Sequence, residues 1–257
     1  LMPVFWLSTL TKLVKFIMIS KMPLEFKNFK NYSELVYGFS ERADGSMKWF
    51  ADPDTYRPNE ENRQRFFGKL GVSLNQIVTA DLVHGTRVVL AGATEASTAI
   101  PQTDGLISRE ANVFLTITAA DCFPLYFYNP SSGATGLAHA GWRSIMSGMV
   151  GEMVRALGGD DHLFFGLGPG IRVCHFEISS EDSKKFSEYP EAIQEREGKT
   201  FVDLPLIIKQ QLEVAGLQTE HIEDSNLCTH CLVDRYFSFR RDKPKQVEAM
   251  IAYIGKK

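Results

Sequence analysis

Three short segments of the chain place a potential metal ligand beside a turn or a strand end: LVHG around His84, AADCFP around Cys122, and AHAGWRS around His139. Two imidazoles and one thiolate suit zinc, and three protein ligands leave a fourth position for water or substrate, as catalytic zinc requires. The ligands are separated by 38 and 17 positions, far from zinc-finger spacing. On spacing alone, a structural interpretation is therefore stronger than a metal site. In that interpretation His84 and His139 are turn residues that hydrogen-bond to the backbone, and Cys122 is a small buried apolar residue.

The elements that have to position these ligands follow from hydrophobic periodicity. The pattern predicts a helix from Asn59 to Gly71, and a β pair of QIVTADLVHG and RVVLAG that is joined close to His84. It also predicts two central strands, VFLTITAADCFPLYFYNP and GATGLAHAG, with Cys122 and His139 on either side of the turn between them. Because a proline can bend the first of these strands, the sequence leaves open the register that decides whether the two ligands meet.

The remainder of the chain predicts further helices and strands without internal repeats or low-complexity linkers. Helices are expected over residues 144–157 and 203–215, an acidic helix from Ser180, and strands in HLFFGLGPG and EAMIAYI. We therefore predict one compact mixed α/β (α+β) domain over residues 22–257. Residues 1–21 are apolar but include Lys12 and Lys15, which makes them a poor signal peptide and a poor membrane span. We predict that they are a leader or an extension of uncertain role.

Composition narrows the class of protein. The chain has 257 residues, of which 44% are hydrophobic, and a formal net charge of -3. That length allows a substantial core, and that charge disfavours nucleic acid or an anionic membrane surface as a partner. Four cysteines are too few for a disulfide scaffold of this length, so we expect a reducing, cytoplasmic location. The oligomeric state is not determined by the sequence.

Several motifs together resemble the laccase-domain (YfiH-like) family. AADCFPLYFYNP and GATGLAHAGWRS are similar to the family's ADC-P and HAGWRG core, VHG to its Gln-Val-His segment, and TDGLIS to the Asp-Gly stretch that follows. GFSERADGS, NRQRF, GLGPGIRVCHFEIS and NLCTHCLVDRYFSFRRD match other family segments in the same order. One departure is Leu82, which stands where the family usually has glutamine and puts the substrate preference in doubt.

The resemblance implies a layered α/β/β/α sandwich in which zinc is held by His84, Cys122 and His139. It also implies phosphorolysis of adenosine, inosine and methylthioadenosine, together with adenosine deamination. Purine nucleosides and inorganic phosphate would then be the partners. An older label for the family, laccase, fits poorly, because a multicopper oxidase needs paired histidine motifs and this chain has six histidines scattered singly.

Arginines are the natural clamps for phosphate. Arg42 lies in a predicted loop and Arg143 lies where a helix is predicted to begin, so these two are our phosphate-binding candidates. Arg240 and Arg241 in the SFRRD segment either reach the active site or pair with neighbouring acids such as Asp242, and the sequence leaves both open.

Two other functions compete with the nucleoside enzyme. The first is a hydrolase that edits cell-wall precursors with Cys122 as nucleophile beside a histidine, which requires a thiol free of metal. The second is a non-catalytic metal-binding partner protein, which requires a fourth protein ligand, with His175 or His230 as first candidates. Cys228 and Cys231 are expected to pack near the C-terminal strand, with a redox or second-metal role as the alternative.

Overall fold

The computed structural model describes residues 24–49, 53–159 and 161–257, so the extension predicted for residues 1–21 lies outside the described residues. The strands are β1 (Leu35–Phe39), β2 (Ile77–Ala80), β3 (Val88–Leu90), β4 (Ala99–Ile100), β5 (Gly105–Ser108), β6 (Phe114–Ala119), β7 (Phe123–Asn129), β8 (Ala134–Ala140), β9 (Phe164–Leu167), β10 (Glu177–Ile178), β11 (Ile193–Arg196), β12 (Lys199–Val202), β13 (Ile222–Asp224) and β14 (Met250–Lys256).

The α-helices are α1 (Pro53–Lys69), α2 (Trp142–Met146), α3 (Met149–Ala156), α4 (Ser180–Ser183), α5 (Leu204–Val214) and α6 (Phe239–Asp242). Single turns of 3-10 helix cover Phe29–Asn31, Arg42–Asp44, Leu74–Gln76, Ala93–Glu95, Lys184–Phe186, Pro190–Ala192 and Thr219–His221. The predicted helix over 203–215 is confirmed as α5. It begins there because the Asp203 carboxylate caps it by accepting a hydrogen bond from the Leu206 amide, with Pro205 in the first turn.

Two large sheets form the centre of the molecule. One has the strand order β1-β14-β6-β2-β4, the other β13-β9-β7-β8-β5-β3, and a small third sheet has the order β10-β12-β11. The two large sheets pack on one another through a shared apolar cluster: Val78, Leu115, Ile117, Ala252 and Ile254 come from the first, and Leu106, Tyr126, Tyr128 and Leu137 from the second.

Helices cover the outer faces of both large sheets. In β7, Leu125 and Phe127 belong to a cluster that includes Met153 of α3 and Leu212 of α5, whereas Tyr126 points into the space between the sheets. This alternation is the period of two of a strand, and it explains why β7 is buried at every position. On the other side, α1 packs Phe67 against Tyr253 of β14, with ring centroids 5.6 Å apart. The layered α/β/β/α sandwich is therefore confirmed.

Three local predictions were wrong, and each error has a physical cause. The segments around residues 77–80 and 88–90 do not pair, because β2 joins β4 and β6 in one sheet while β3 joins β5 in the other. The long apolar run before the central turn is two strands, β6 and β7, separated by Asp121 with a left-handed φ of 91°. The helix predicted over 144–157 is interrupted at Gly148, whose φ is 93°.

None of the helices in the described residues is long and apolar enough to cross a membrane.

Candidate metal centre and cleft

Three different connections bring the predicted ligands to one end of the six-stranded sheet. His139 lies in β8 opposite Pro124 of β7, and Cys122 immediately precedes β7. His84 arrives on the loop that leaves β2 in one large sheet and enters β3 in the other. Their ligand atoms all lie within 4.8 Å of one another, with 4.0 Å between Cys122 Sγ and His84 Nε2. The register of β7 against β8, which the sequence left open, thus places the two central ligands together.

Asp104 positions both histidines. Its carboxylate lies 3.0 Å from His139 Nδ1 and accepts backbone hydrogen bonds from Val83, His84 and Gly85. The side chain is completely buried, so these bonds replace the water it has lost. Because Nδ1 of His139 is engaged, Nε2 is the ring atom left to face the site, an arrangement typical of metal-binding histidines.

The approach of His84 to Cys122 is tight. His84 has a φ of 60°, a left-handed conformation that is uncommon for a residue with a side chain and is held here by the bond from its amide to Asp104. A Cβ atom at Gly141 would lie 3.0 Å from both Cys122 Sγ and His84 Cδ2. Glycine in the AHAGWRS segment therefore leaves room for the two ligands.

The three groups change each other's protonation. Burial opposes ionisation of the Cys122 thiol, but the charge and hydrogen bond of His139, followed by those of His84, lower its pKa to about 6. Burial likewise opposes the cationic form of His139, yet the charge of Cys122 and the hydrogen bond to Asp104 raise its pKa to about 9. In the metal-free site, the two pKa shifts therefore favour a thiolate beside an imidazolium at neutral pH.

A cleft of about 460 Å³ opens onto these ligands. Its size lies within the range that suits a drug-sized or nucleoside-sized ligand. Aromatic and apolar side chains make up most of its other walls: Leu82, Trp142, Ile171, Phe176, Phe239 and Val247. A larger groove of about 840 Å³ shares Trp142, Arg143, Phe176 and Arg240 with the cleft but does not include the three ligands.

Three cationic side chains line the cleft: Lys48, Arg143 and Arg240. The guanidinium of Arg143 lies over the Trp142 ring at 4.5 Å from its centroid. Arg240 donates a 2.6 Å hydrogen bond to the Glu177 carbonyl. Burial lowers the pKa of Lys48. The cleft thus combines a ligand cluster at one side with positive charge and aromatic surface at the others.

The other two arginines considered from the sequence lie outside the lining of the cleft. Arg42 donates to the Asp242 carboxylate at 2.5 Å and to the Tyr236 carbonyl at 3.2 Å. Arg241 binds Asp242 as well, and also donates to the carbonyl oxygens of Thr229, His230 and Tyr236. Of the two open alternatives for the SFRRD segment, Arg240 faces the cleft and Arg241 holds the C-terminal segment together.

Asp121 precedes Cys122 but has a different environment. Its carboxylate accepts hydrogen bonds from the Thr229 and Ser238 hydroxyls and from the Arg240 amide. Asp121 therefore fastens the C-terminal segment to the strand break that carries Cys122, and through Arg240 it fixes one wall of the cleft.

Two residues of this site, Asp104 and Lys48, were not identified from the sequence. Asp104 lies in TDGLIS, which was matched to a family segment without a role, and the only signal was an aspartate before a glycine at the start of a strand. Lys48 reaches the cleft from the segment before α1, and nothing in its neighbours indicates this. Lys48 lies 36 positions before His84, and Asp104 lies between His84 and Cys122 in the sequence.

The fold and the site define a class: layered α/β/β/α proteins that present a histidine, a cysteine and a second histidine to a cleft at the end of a central sheet. The chain belongs to the multi-copper polyphenol oxidoreductase laccase family, whose sequence pattern matches residues 37–257. The resemblance read from the motifs is thereby confirmed.

Relatives in this family are named as phosphorylases. Purine nucleoside phosphorylase YlmD of Geobacillus stearothermophilus is 35% identical over 214 residues, which cover 76% of this chain and 78% of the relative. A purine nucleoside phosphorylase of Deinococcus radiodurans is 32% identical over 210 residues, covering 79% of each chain.

Solved structures agree with the architecture. The crystal structure of YlmD from Geobacillus stearothermophilus superimposes with a TM-score of 0.81 at 30% identity, covering 90% of this chain and 94% of that one. The Bacillus licheniformis protein YfiH gives a TM-score of 0.81 at 28% identity, covering 89% of this chain and 95% of that one.

Proposed function

We propose that this protein is a zinc-dependent purine nucleoside phosphorylase that acts on adenosine, inosine and methylthioadenosine and also deaminates adenosine. The observation that carries the proposal is the convergence of His84, Cys122 and His139 on a cleft that also holds guanidinium groups and aromatic surface. The names of the relatives support the phosphorylase activity. The wider substrate range and the deamination are what the family resemblance implies.

The donor set fits zinc. In the metal-free site Cys122 is a thiolate at neutral pH. The Nδ1 atom of His139 is bonded to Asp104, so zinc would displace the proton from Nε2 and bind there. Two imidazoles and one thiolate complete three of the four positions of a tetrahedral ion, and the fourth would face the cleft. When bound, zinc would supply a Lewis acid or a water with a pKa of about 7.

In phosphorolysis, phosphate attacks C1′ of the ribose while the purine leaves, through a transition state with oxocarbenium character. The chain must therefore hold an anion beside the sugar and position the base. Arg143 is our candidate for holding phosphate, with Arg240 and Lys48 contributing positive charge to the same cleft. Trp142, Phe176 and Phe239 offer ring faces on which a purine can stack. Arg42 remains a sequence-based candidate whose guanidinium is engaged by Asp242.

Deamination of adenosine makes a different demand on the same site. Water has to attack C6 of the purine, so the base must point towards the three ligands. Leu82 lines the cleft next to His84 and offers no hydrogen bond to the base. The balance between the two reactions then depends on how this apolar wall orients the nucleoside.

One arrangement favours the thiol hydrolase as a second candidate. Cys122, His139 and Asp104 form a thiolate, imidazolium and carboxylate in series, which is the geometry of a nucleophilic cysteine with its base and orienting acid. This function requires a metal-free site, because a zinc-bound thiolate is a poor nucleophile.

The test combines metal analysis with product analysis. Purified protein is assayed with adenosine in the presence and absence of phosphate, and adenine, ribose 1-phosphate and inosine are quantified. We expect zinc, phosphate-dependent release of adenine with an equal amount of ribose 1-phosphate, and phosphate-independent formation of inosine. Copper in place of zinc, or adenine release that ignores phosphate, would refute the proposal as stated.

Cys122→Ala and Cys122→Ser provide the matched controls. Loss of zinc at this site and of both activities in each variant supports the metal mechanism. Metal-free wild-type protein that turns over fully, and loses activity only when Cys122 is changed, would refute the metal mechanism and favour the thiol hydrolase. The cytoplasmic location also stays a prediction, supported by the free thiols of all four cysteines.

A further inference from the structure

A second cluster of metal-type ligands lies apart from the three that face the cleft. Cys174 and His175 occupy a turn after β9, and Cys228 and Cys231 occupy a turn after β13. The four ligand atoms lie within 4.8 Å of one another, although the two turns are more than fifty residues apart in sequence. The fold has therefore assembled three thiols and one imidazole at one point.

The spacing of these atoms matches a tetrahedral ion. With zinc–sulfur bonds of about 2.3 Å and zinc–nitrogen bonds of about 2.0 Å, a tetrahedron has edges of roughly 3.8 Å between sulfurs and 3.5 Å between sulfur and nitrogen. Cys174 Sγ lies 3.6 Å from the sulfurs of both Cys228 and Cys231, and His175 Nδ1 lies 3.2 Å from Cys174 Sγ and 3.3 Å from Cys231 Sγ.

The same distances argue against a disulfide. Two bonded sulfurs are about 2.05 Å apart, and here one sulfur is equally distant from two others. A redox pair would need only two of the cysteines and would not draw in the imidazole. His175 points Nδ1 towards two thiols while its ring stacks on His230, with centroids 3.9 Å apart and planes inclined by 15°. The ring is thereby held in the orientation that a ligand needs.

We propose that Cys174, His175, Cys228 and Cys231 bind a second ion, of the zinc type, as a closed structural site. Three soft thiolates and one imidazole are a Cys3His set, which selects zinc over magnesium or calcium and leaves no position for substrate. Cys228 and Cys231 are separated by two residues, the spacing of a zinc-binding turn.

The position of this site in the fold indicates a structural role. The two turns already touch through a β-bridge between Gly170 and Cys228, and the Thr229 amide donates to the Gly170 carbonyl. The first turn is flanked by Ile171 and Phe176, and the second is followed by Arg240, all of which line the cleft. An ion shared by the turns therefore ties together two segments of the cleft wall. It does so without contributing a group to the reaction.

Metal stoichiometry tests this directly. Wild-type protein, Cys122→Ala, Cys231→Ser and the double variant are purified from zinc-supplemented medium, and zinc per chain is measured by inductively coupled plasma mass spectrometry. We expect about two zinc ions in the wild type, one in each single variant and none in the double variant. One zinc in the wild type and none in Cys122→Ala would overturn the proposal, as would a disulfide among these cysteines in non-reducing peptide mass spectrometry.

The ligand count identifies which site holds the ion. In Cys122→Ala, zinc X-ray absorption should show three sulfur ligands and one nitrogen ligand, and cobalt substitution should give the intense thiolate charge-transfer bands of a site with several sulfurs. A spectrum with nitrogen and oxygen ligands only would contradict the proposal. Cys122→Ala keeps the second cluster whole, so this measurement decides the question even if Cys231→Ser fails to fold. Its outcome is independent of whether the protein phosphorolyses nucleosides.

Discussion

The two ligand clusters of this protein differ in number of donors and in what surrounds them. His84, Cys122 and His139 supply three donors and face a cleft, with a buried carboxylate behind them. The second cluster, Cys174, His175, Cys228 and Cys231, supplies four donors from two turns. With zinc bound to both clusters as proposed, the first arrangement would leave a coordination position for chemistry and the second would not, because zinc prefers four ligands. The number of protein ligands thus distinguishes the proposed reactive site from the proposed structural one.

The contrast is sharpest when one cysteine from each cluster is replaced. Cys122→Ala should reduce kcat for phosphorolysis by roughly 10³-fold or more. This loss exceeds the roughly 10–100-fold loss that is typical when a residue hydrogen-bonded to a metal ligand is changed. Cys231→Ser should lose far less of kcat than Cys122→Ala, since its cluster contributes no group to the reaction. Its KM should rise and its melting temperature should fall, because the cluster holds two segments of the cleft wall together. The measurement is kcat and KM for inosine at saturating phosphate, with thermal unfolding in parallel. Equal losses of kcat in the two variants would remove the distinction.

Asp104→Asn tests whether the Asp104 carboxylate positions the ligands of the three-ligand site. The amide keeps the size of the side chain but removes the charge that orients His139 and accepts three backbone bonds. We expect zinc affinity at this site, or activity, to fall about 10–100-fold. Zinc affinity is measured by competition with a chromophoric chelator, and the second cluster serves as internal control. Unchanged affinity would show that Asp104 only holds the loop around His84.

Arg143 and Arg42 form a matched pair for phosphate binding. Arg143→Gln should raise KM for phosphate about tenfold or more, because a hydrogen bond to a charged group contributes about 1.5–3 kcal/mol. Arg42→Gln should change this KM less than about twofold, since its guanidinium is bonded to Asp242 and lies outside the cleft lining. Initial rates at varied phosphate and saturating inosine separate the two. A larger effect at Arg42 would reverse the assignment.

The smallest expected effect is a shift in the pH at which the Cys122 thiol ionises. In chelator-treated protein, alkylation of Cys122 should have a midpoint at pH about 6, and His139→Ala should move it upwards, because the imidazolium is what lowers the pKa of the thiol. Peptide mass spectrometry quantifies Cys122 separately from the other cysteines. A midpoint that stays at about 6 in His139→Ala would show that another charge stabilises the thiolate.

The same pair sets a pH window for stability in the metal-free protein. The lowered pKa of Cys122 stabilises the fold above the ordinary thiol pKa, and this contribution is lost as the pH falls through about 6. The raised pKa of His139 stabilises the fold below the ordinary imidazole pKa, and this contribution is lost as the pH rises through about 9. Both partners are charged between these limits, so the ion pair persists from about pH 6 to about pH 9.

Strong local patterns predicted much of the fold. Hydrophobic periodicity predicted α5 over residues 203–215, and the apolar run EAMIAYI predicted β14 to within a few residues. Two of the three errors fell where a backbone conformation changes the chain direction, at Asp121 and at Gly148. Such positions carry little signal, because the bonds that hold Asp121 come from Thr229, Ser238 and Arg240, more than a hundred residues away.

By itself, the sequence determined the kinds of ligand this protein possesses and the family to which it belongs, because residue types and short motifs are local properties. Only the tertiary structure decided which ligands meet. The register of β7 against β8 joined Cys122 to His139, a loop between sheets added His84, and two distant turns assembled the second cluster. It also turned Arg240 towards the cleft and Arg42 towards Asp242. These placements depend on long-range packing and hydrogen bonding, which cannot be read from the spacing of residues along the chain.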